Sequence, residues 1–396
     1  MIRRFLVTVG CLTVISGCAA VNSIWPFKPA SSDKPKINIE QFQQVAKSPD
    51  GDRPPAKVLP DKGSVAGEAA VVPELFKPLH SPEILEYWES ITGGSADAPG
   101  FAGTLSRAIT GGDYIRLVRP VAVCVRGDFV YIVDMGLQLV LRLNRSTGVV
   151  ERMAELRGVV TGDVADIFVT KDMSFYVTDT FGGRVLFFSP EGRLQRSFTN
   201  GLNLVHPVAV MEDEATESVL VADGEFDHIL VFNQMGDPYT TLGGRGEEPG
   251  KFLNITAMAS DGRAFYVAAR VGQRIQVLSR QSEYLYSFEQ ESIRFPLALA
   301  VDDRTRLFAS DYLDNTIKIY ERGRLINSFG GTGVTPGRFK RITDLWLDGD
   351  LLYVADSLNG RVQVMKVAGA VPRAVVPAAS PSPAVAVPAP LPIKER

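Results

Sequence analysis

The chain has 396 residues, of which 45% are hydrophobic and 22% charged, and its formal net charge is −3 at pH 7. A chain of this length and composition can bury a large core, but its weakly acidic balance lacks the electrostatic footprint of a nucleic-acid-binding protein. Two of the three cysteines, Cys11 and Cys18, lie in the first 18 residues. Cys124 is then the single cysteine of the remaining chain, so we expect it to form no intramolecular disulfide. Because it lies in the apolar segment VAVCV, we expect its thiol to be buried.

The N-terminal segment MIRRFLVTVGCLTVISGC predicts a secretory signal peptide over residues 1–17. Arg3 and Arg4 precede an apolar run of about a dozen residues, which is too short to span a bilayer. The end of this segment, ISGC, resembles a bacterial lipobox, and the resemblance implies cleavage before Cys18 and acylation of Cys18, with palmitate among the chains. Ala19 in the next position resembles the signal for the outer membrane of a two-membrane bacterium. The alternative is an ordinary signal peptide cut at a small residue.

Three further segments flank the central part of the chain. Residues 18–75 mix Lys, Asp, Pro, Ala and Ser and predict a flexible tether from the lipidated cysteine. Within 76–102, the stretch HSPEILEYWESITGG predicts a short helix that is capped by Ser81, begins at Pro82 and stops at Gly93. Residues 368–396 contain seven prolines and predict a disordered, extended Pro/Ala-rich tail.

Residues 103–367 contain a repeat of 42 to 46 residues that occurs six times. The strand, turn and strand of its sixth copy reads YVADSLNGRVQV at 353–364, and YVTDTFGGRVLF at 176–187, in the second copy, is nearly the same. Each unit contains four short runs rich in Val, Ile, Tyr and Phe, separated by Gly, Asp and Asn, which predicts four strands. Six such units predict an all-β fold, a six-bladed β-propeller.

The repeat also resembles the NHL repeat in its Pro-led first strand and in the Gly-rich connections LGGRGEEPGKF (242–252) and FGGTGVTPGRF (329–339). The anchor aspartate of the repeat is replaced by Ala269 in the fourth unit, and Gln138 and Leu139 depart from the pattern in the first. We expect each anchor aspartate to accept hydrogen bonds from the N–H groups of its own turn. Because the sixth unit stops after three strands, we expect residues 104–109 to supply its outer strand.

Signatures of catalysis are sparse: the sequence contains no Walker loop, GxSxG, HExxH or CxxC motif. Peptide-amidating lyases and lactonase-like propellers share the expected fold, and the lyases hold zinc with several histidines, whereas only His206 lies near an inner strand here. The sequence therefore predicts no cofactor. The alternative is a metal-dependent lyase or lactonase with a calcium site, for which Asp166, Asp344 and His206 are the candidate ligands.

The turns and connections on one face of the ring carry most of the cationic candidates. We expect this face to hold carboxylates or phosphates, since arginine presents a planar fork suited to both. The alternative is that the stems pack over the turns while the charged heads are solvated. The predicted binding face comprises Arg119, Arg184, His228, Arg245, Arg274, Arg294, Lys340, Arg341 and Arg361.

The functional prediction is a lipid-anchored scaffold of the bacterial cell envelope. It would bind an envelope protein or a glycan through the basic face, contact the membrane through its acyl chains, and bind no nucleic acid. The metal-dependent enzyme is the alternative from a different functional class.

Overall fold

The computed structural model describes residues 84–95, 114–199, 204–272, 274–288 and 292–370. These residues form six four-stranded antiparallel sheets, which are the six blades of a propeller, and one two-stranded sheet. In blades 1 to 5 consecutive strands are neighbours, and the first strand is the innermost. The six-bladed all-β prediction is confirmed.

The strands follow the repeat units closely. Blade 1 contains β4 (Pro120–Arg126), β5 (Phe129–Asp134), β6 (Leu139–Asn144) and β7 (Val150–Glu155). Blade 2 contains β8 (Ile167–Val169), β9 (Phe175–Asp179), β10 (Arg184–Phe188) and β11 (Leu194–Phe198). Blade 3 contains β12 (Pro207–Asp213), β13 (Ser218–Asp223), β14 (His228–Phe232) and β15 (Pro238–Gly243).

The remaining blades contain the later strands and the first one. Blade 4 contains β16 (Ile255–Ser260), β17 (Ala264–Ala269), β18 (Arg274–Ser279) and β19 (Tyr284–Ser287). Blade 5 contains β20 (Pro296–Val301), β21 (Leu307–Asp311), β22 (Thr316–Glu321) and β23 (Arg324–Gly330). Blade 6 contains β24 (Ile342–Asp348), β25 (Leu351–Asp356), β26 (Arg361–Val367) and β1 (Leu85–Ile91). The small sheet pairs β2 (Gly93–Ser95) with β3 (Tyr114–Arg116), and a 3₁₀ turn spans Ser357–Asn359.

The core lies between neighbouring blades, because each sheet buries both of its faces. The aromatic residue or leucine three positions before each anchor and the β-branched residue six positions after it are at most 2% exposed. These positions are Tyr131, Tyr176, Leu220, Tyr266, Phe308 and Tyr353, and Val140, Val185, Ile229, Ile275, Ile317 and Val362.

The prediction of a helix within 76–102 is wrong for the described part of that segment, because Leu85–Ile91 forms strand β1. Leu85 and Tyr87 pack against the cluster between blades 5 and 6, and the bulge between Tyr87 and Glu89 shifts the alternation of the strand. Pairing with β26 supplies backbone hydrogen bonds to a strand that would otherwise be an open edge, and this tertiary gain outweighs local helix propensity.

The prediction that a segment before the first repeat supplies the outer strand of blade 6 is correct, but the segment named for it is wrong. The outer strand of blade 6 does come from the N-terminal side of the chain, but it is β1 that pairs with β26, from Leu85 opposite Val367 to Ile91 opposite Val362. Residues 104–109 lie outside the described residues, and the place predicted for them beside β26 is occupied.

The two faces of the ring are distinguished by which turns and which parts of the chain lie on them. We call the face with the turns between the second and third strands of each blade the upper face. Strand β26 runs from this face at Arg361 to the lower face at Val367, where the Ala368 N–H donates to the Ile84 carbonyl at 2.9 Å. Residues 84 and 368 therefore both lie at the lower face. Among the described residues, no helix is long and apolar enough to cross a membrane.

Candidate functional site

The anchor aspartates are hydrogen-bonding hubs of the upper face. Asp134 accepts bonds from the N–H groups of Gly136 and Leu137 in its own turn, at 2.9 and 3.0 Å, which confirms the predicted turn role for this residue, whereas the turn partner of Asp356 is the Asn359 side chain. It also accepts bonds from the N–H groups of Val118 and Arg119, which lead into the innermost strand of the same blade. Asp134 thus joins its turn to the connection that leads into β4.

Two arginines of the predicted binding face are part of these hubs. Arg184 donates from Nε to Asp179 at 2.9 Å and from Nη2 to the Val159 carbonyl at 2.7 Å. Arg361 donates from Nε to Asp356 at 2.8 Å, and its side chain is 11% exposed. The guanidinium groups of both residues are engaged within the fold, so little of their hydrogen-bonding capacity is left for a ligand.

The other members of the predicted face are arranged differently. Arg119 forms an ion pair with Asp163 at 3.1 Å, and Arg245 lies 3.5 Å from Asp227. The His228 ring stacks on Phe226 with 5.8 Å between centroids. Arg274 begins β18, and its side chain lies outside the described residues. The three remaining cationic side chains are exposed: Arg294, Lys340 and Arg341.

A continuous row of two arginines and two aromatic rings crosses blades 4, 5 and 6 on the upper face. The Arg270 guanidinium lies over the Phe295 ring at 4.6 Å, and the Phe295 and Tyr312 centroids are 5.0 Å apart. The Arg341 guanidinium lies over the Tyr312 ring at 5.6 Å. We call these four residues the arginine–aromatic row. Sequence reasoning identified Arg341 but missed the other three, because nothing in the repeat pairs a turn residue of one blade with the next.

Exposed apolar side chains recur on the same face, one on the turn after the second strand in each of blades 2 to 6. Large hydrophobic side chains that stay exposed on neighbouring turns of one face indicate a contact surface. The repeat contains a signal for them, since the apolar residue falls two or three positions after each anchor. They are Phe181 (66% exposed), Phe226 (42%), Val271 (53%), Leu313 (55%) and Leu358 (59%).

The central channel is a cavity of about 650 Å³ that opens on the upper face beside Arg119, Arg341 and Leu358. Its middle is lined by the innermost strands of blades 2 to 6, where small residues such as Ala257, Ala259 and Ala298 leave it open. Blade 1 contributes only residues at the two ends of its innermost strand, and Val123 and Cys124 are fully buried.

Asp166 and Asp344 line this cavity on the two sides of blade 1. Asp344 accepts the Val123 N–H at 2.7 Å, and Asp166 accepts the Val210 N–H at 2.8 Å, so each carboxyl group fastens the innermost strand of the next blade. Burial raises the pKa of Asp166 to about 7, although its hydrogen bonds from backbone N–H groups oppose the shift. Burial, and then the charge of Asp166, raise the pKa of Asp344 well above its usual value.

An aromatic pair covers the same wall of the channel. Phe168 and Trp346, each two residues beyond a channel aspartate, meet edge to face with 6.0 Å between centroids. Behind them, the Cys124 Sγ accepts the Val169 N–H at 3.4 Å, and burial raises the pKa of the Cys124 thiol. Cys124 is a free, buried cysteine, as predicted, and its thiol is unreactive in this environment.

The three candidate metal ligands are not brought together. Asp166 and Asp344 line the channel, whereas His206 packs edge to face against Phe181 at 6.0 Å and is not part of the channel wall. Within the described ranges, no group of three or more His, Cys, Asp or Glu side chains is placed to hold a metal ion.

Comparison with known proteins adds a fold likeness and no family. No protein-family model and no curated protein matches the chain. Among solved structures, the chain is similar to virginiamycin B lyase from Staphylococcus aureus, at 12% identity over 63% of this chain and 95% of that chain, with a TM-score of 0.49. A streptogramin B lyase structure is similar at 12% identity over 64% and 95% of the two chains, with a TM-score of 0.48. Nothing about this chain's activity follows from likenesses at this level, and the fold is established by the sheet pairing described above.

Proposed function

We propose that the protein is a lipid-anchored binding scaffold of the bacterial cell envelope, and that it docks a partner protein on its upper face. The observation that carries this proposal is the set of exposed apolar turn residues on one face in five consecutive blades. Interfaces concentrate aromatic and other apolar residues together with arginine, and the upper face combines these residue types.

The positions of the chain ends support this use of the upper face. Ile84 lies at the lower face, where its carbonyl accepts the Ala368 N–H beside the start of the Pro-rich segment. Attachment through Cys18 would therefore leave the upper face free for a partner. The lipobox-like sequence and the tether of residues 18–75 supply the anchoring part of the proposal.

The channel gives less support to the alternative of a metal-dependent enzyme. Both carboxylate oxygens of Asp166 already accept backbone N–H groups, from Ile167 and Val210, and the two oxygens of Asp344 do the same with Leu345 and Val123. Hydrogen bonding within the fold accounts for these two carboxylates without a ligand.

Site-specific photocross-linking tests the docking face. A photoreactive residue at position 313 should give a discrete adduct in native membranes, and Leu358→Asp on the neighbouring turn should abolish that adduct. The matched control is position 235, where Met235 is 72% exposed on the lower-face turn of blade 3 and should give no adduct. Equal cross-linking at both positions, or an adduct that survives Leu358→Asp, would refute docking on the upper face.

Cys18→Ser tests the anchor separately. We expect the variant to move from the membrane fraction to the soluble fraction without a change in its unfolding midpoint. Retention in the membrane fraction would refute lipid anchoring at Cys18 and leave the docking experiment unaffected.

A further inference from the structure

We propose that the arginine–aromatic row binds carboxylates of the partner, so that the docked protein presents an acidic segment across blades 4 to 6. The inference rests on the proposed docking function, and it assigns the chemistry of one part of the upper face.

The row holds two guanidinium groups whose donors are not used by the fold. An arginine that contacts a ring through the face of its guanidinium plane spends no N–H group in that contact, so its five donors remain for a ligand. Among the described residues, neither Arg270 nor Arg341 has a side-chain hydrogen bond or an ion pair to a carboxylate. Both side chains are exposed, so a ligand reaches them without rearrangement of the fold.

The rings hold the arginines in place. Phe295 and Tyr312 contact each other and are half-buried, and the Tyr312 N–H donates to the Phe295 carbonyl at 2.9 Å. An arginine held against such a rigid pair loses less conformational freedom on binding than a freely rotating one. The row is therefore a prearranged pair of forks for carboxylates.

The rest of the described upper face lacks this combination. Arg119 is neutralised by Asp163, and Arg184 and Arg361 are neutralised by their hub aspartates. A carboxylate that approached those residues would compete with a partner already in place. Additional positive charge beside the row comes from Arg294 and Lys340, which are also exposed.

The surroundings favour a protein segment as the source of the carboxylates. Val271, Leu313 and Leu358 are exposed beside the row on the turns of blades 4, 5 and 6. Apolar contacts around charged pairs exclude water and strengthen them, as in the centre of a protein interface. A glycan carries few apolar groups that would use these side chains.

Fluorescence anisotropy with a labelled decaglutamate peptide tests the inference on the full-length protein in mild detergent. We expect decaglutamate to bind, decaglutamine not to bind, and Arg270→Gln with Arg341→Gln to weaken decaglutamate binding at least tenfold. Replacing both arginines by lysine should leave intermediate binding, because the charge stays while the planar fork is lost.

The matched control is Arg152→Gln with Arg193→Gln, which removes the same charge from exposed positions away from the upper face and should leave binding unchanged. Unweakened binding in the row variant, or an equal loss in the control, would overturn the assignment of the row. Displacement of decaglutamate by an oligogalacturonate at lower concentration than by unlabelled decaglutamate would overturn the protein assignment in favour of a glycan.

The cross-linking experiment at position 313 separates the two proposals. If the adduct forms normally in the variant Arg270→Gln with Arg341→Gln, the docking proposal stands, and the proposal that the row binds the partner is refuted. If decaglutamate binds through the row but position 313 gives no adduct, the docking proposal fails, and the row is overturned as a part of it.

Discussion

Two regions of the ring contain aspartates that accept backbone hydrogen bonds, buried in the hubs of the upper face and half-buried in the channel, and the two sets differ in their neighbours. The hub aspartates of the upper face collect several donors each. Asp356, for example, accepts from the Lys340 N–H, Asn359 Nδ2, Gln363 Nε2 and Arg361 Nε. The channel aspartates, Asp166 and Asp344, accept two backbone N–H groups each, and no arginine or lysine in the described part of the chain forms an ion pair with them.

This difference shows that hydrogen bonds alone do not determine the energetics of a buried carboxylate. A hub carboxylate lies among several donors, and in blades 2 and 6 one donor is a guanidinium that compensates its charge. A channel carboxylate loses solvent without gaining a cation, so burial dominates and its pKa rises. The hubs should therefore stabilise the fold, whereas ionisation of the channel pair should oppose it.

The largest expected effect comes from removing a hub. Asp356→Ala leaves a nearly buried Arg361 without its carboxylate, so we expect the free energy of unfolding to fall by about 3 to 5 kcal/mol. Urea denaturation measures this, with the exposed Asp303→Ala as the matched control. A loss below about 1 kcal/mol would remove the distinction between the hubs and ordinary surface carboxylates.

A conservative change in the channel should act in the opposite direction. The folded protein keeps a proton on Asp166 up to a pKa of about 7, whereas the unfolded chain releases it near pH 4, so ionisation destabilises the fold as pH rises. The stability of Asp166→Asn relative to wild type should thus rise from pH 4 to 7 and stay at the higher level above pH 8, on top of a pH-independent loss because the amide nitrogen cannot accept the second backbone N–H group. Since one pKa unit equals about 1.4 kcal/mol and the cavity admits solvent, we expect a rise of about 2 kcal/mol.

The same substitution in a hub provides the control. Asp356→Asn keeps the shape of the side chain but loses the charge opposite Arg361, so it should destabilise the protein at pH 8. If the stability of Asp166→Asn relative to wild type did not rise between pH 4 and pH 8, or if Asp356→Asn left the urea midpoint unchanged at pH 8, the comparison between the two regions would be wrong.

A smaller effect separates the arginines that belong to the frame from those of the row. Arg361→Ala should cost about 2 kcal/mol, because Asp356 and the Arg338 carbonyl lose a charged donor. Arg341→Ala should cost less than about 1 kcal/mol, the usual value of an exposed cation–π contact. Thermal unfolding of the two variants beside wild type measures both, and a larger loss for Arg341→Ala would mean that the row is structural.

Most of the fold could be predicted from the sequence, because its determinants are local and repeated. Tyr353 and Val362, and the equivalent residues of the other copies, are buried for the same reason: they lie on inward-facing positions of paired strands. The turn role of Asp134 could be predicted as well, because its donors Gly136 and Leu137 lie within three residues. Strand β1 could not, because residues 85–91 form a strand only beside the edge of β26.

The candidate site depended much more on the tertiary structure. The alignment of inner strands placed Asp166 and Asp344 in one column of the repeat. Their raised pKa values, however, follow from burial by neighbouring blades and, for Asp344, from the charge of Asp166 across the channel. Arg270 and Arg341 could not be grouped from the sequence, because the rings between them come from blade 5.

The sequence by itself thus determined the number of blades, the strands within each of them and the turns that join the strands, since these depend on burial periodicity and on hydrogen bonds between near neighbours. The closing strand, the two roles of aspartate, and the division of the arginines between frame and exposed row were decided only when the ring closed. The physical reason is that each of these features depends on contacts between blades, where residues far apart in the chain compete for the same donors, rings and charges.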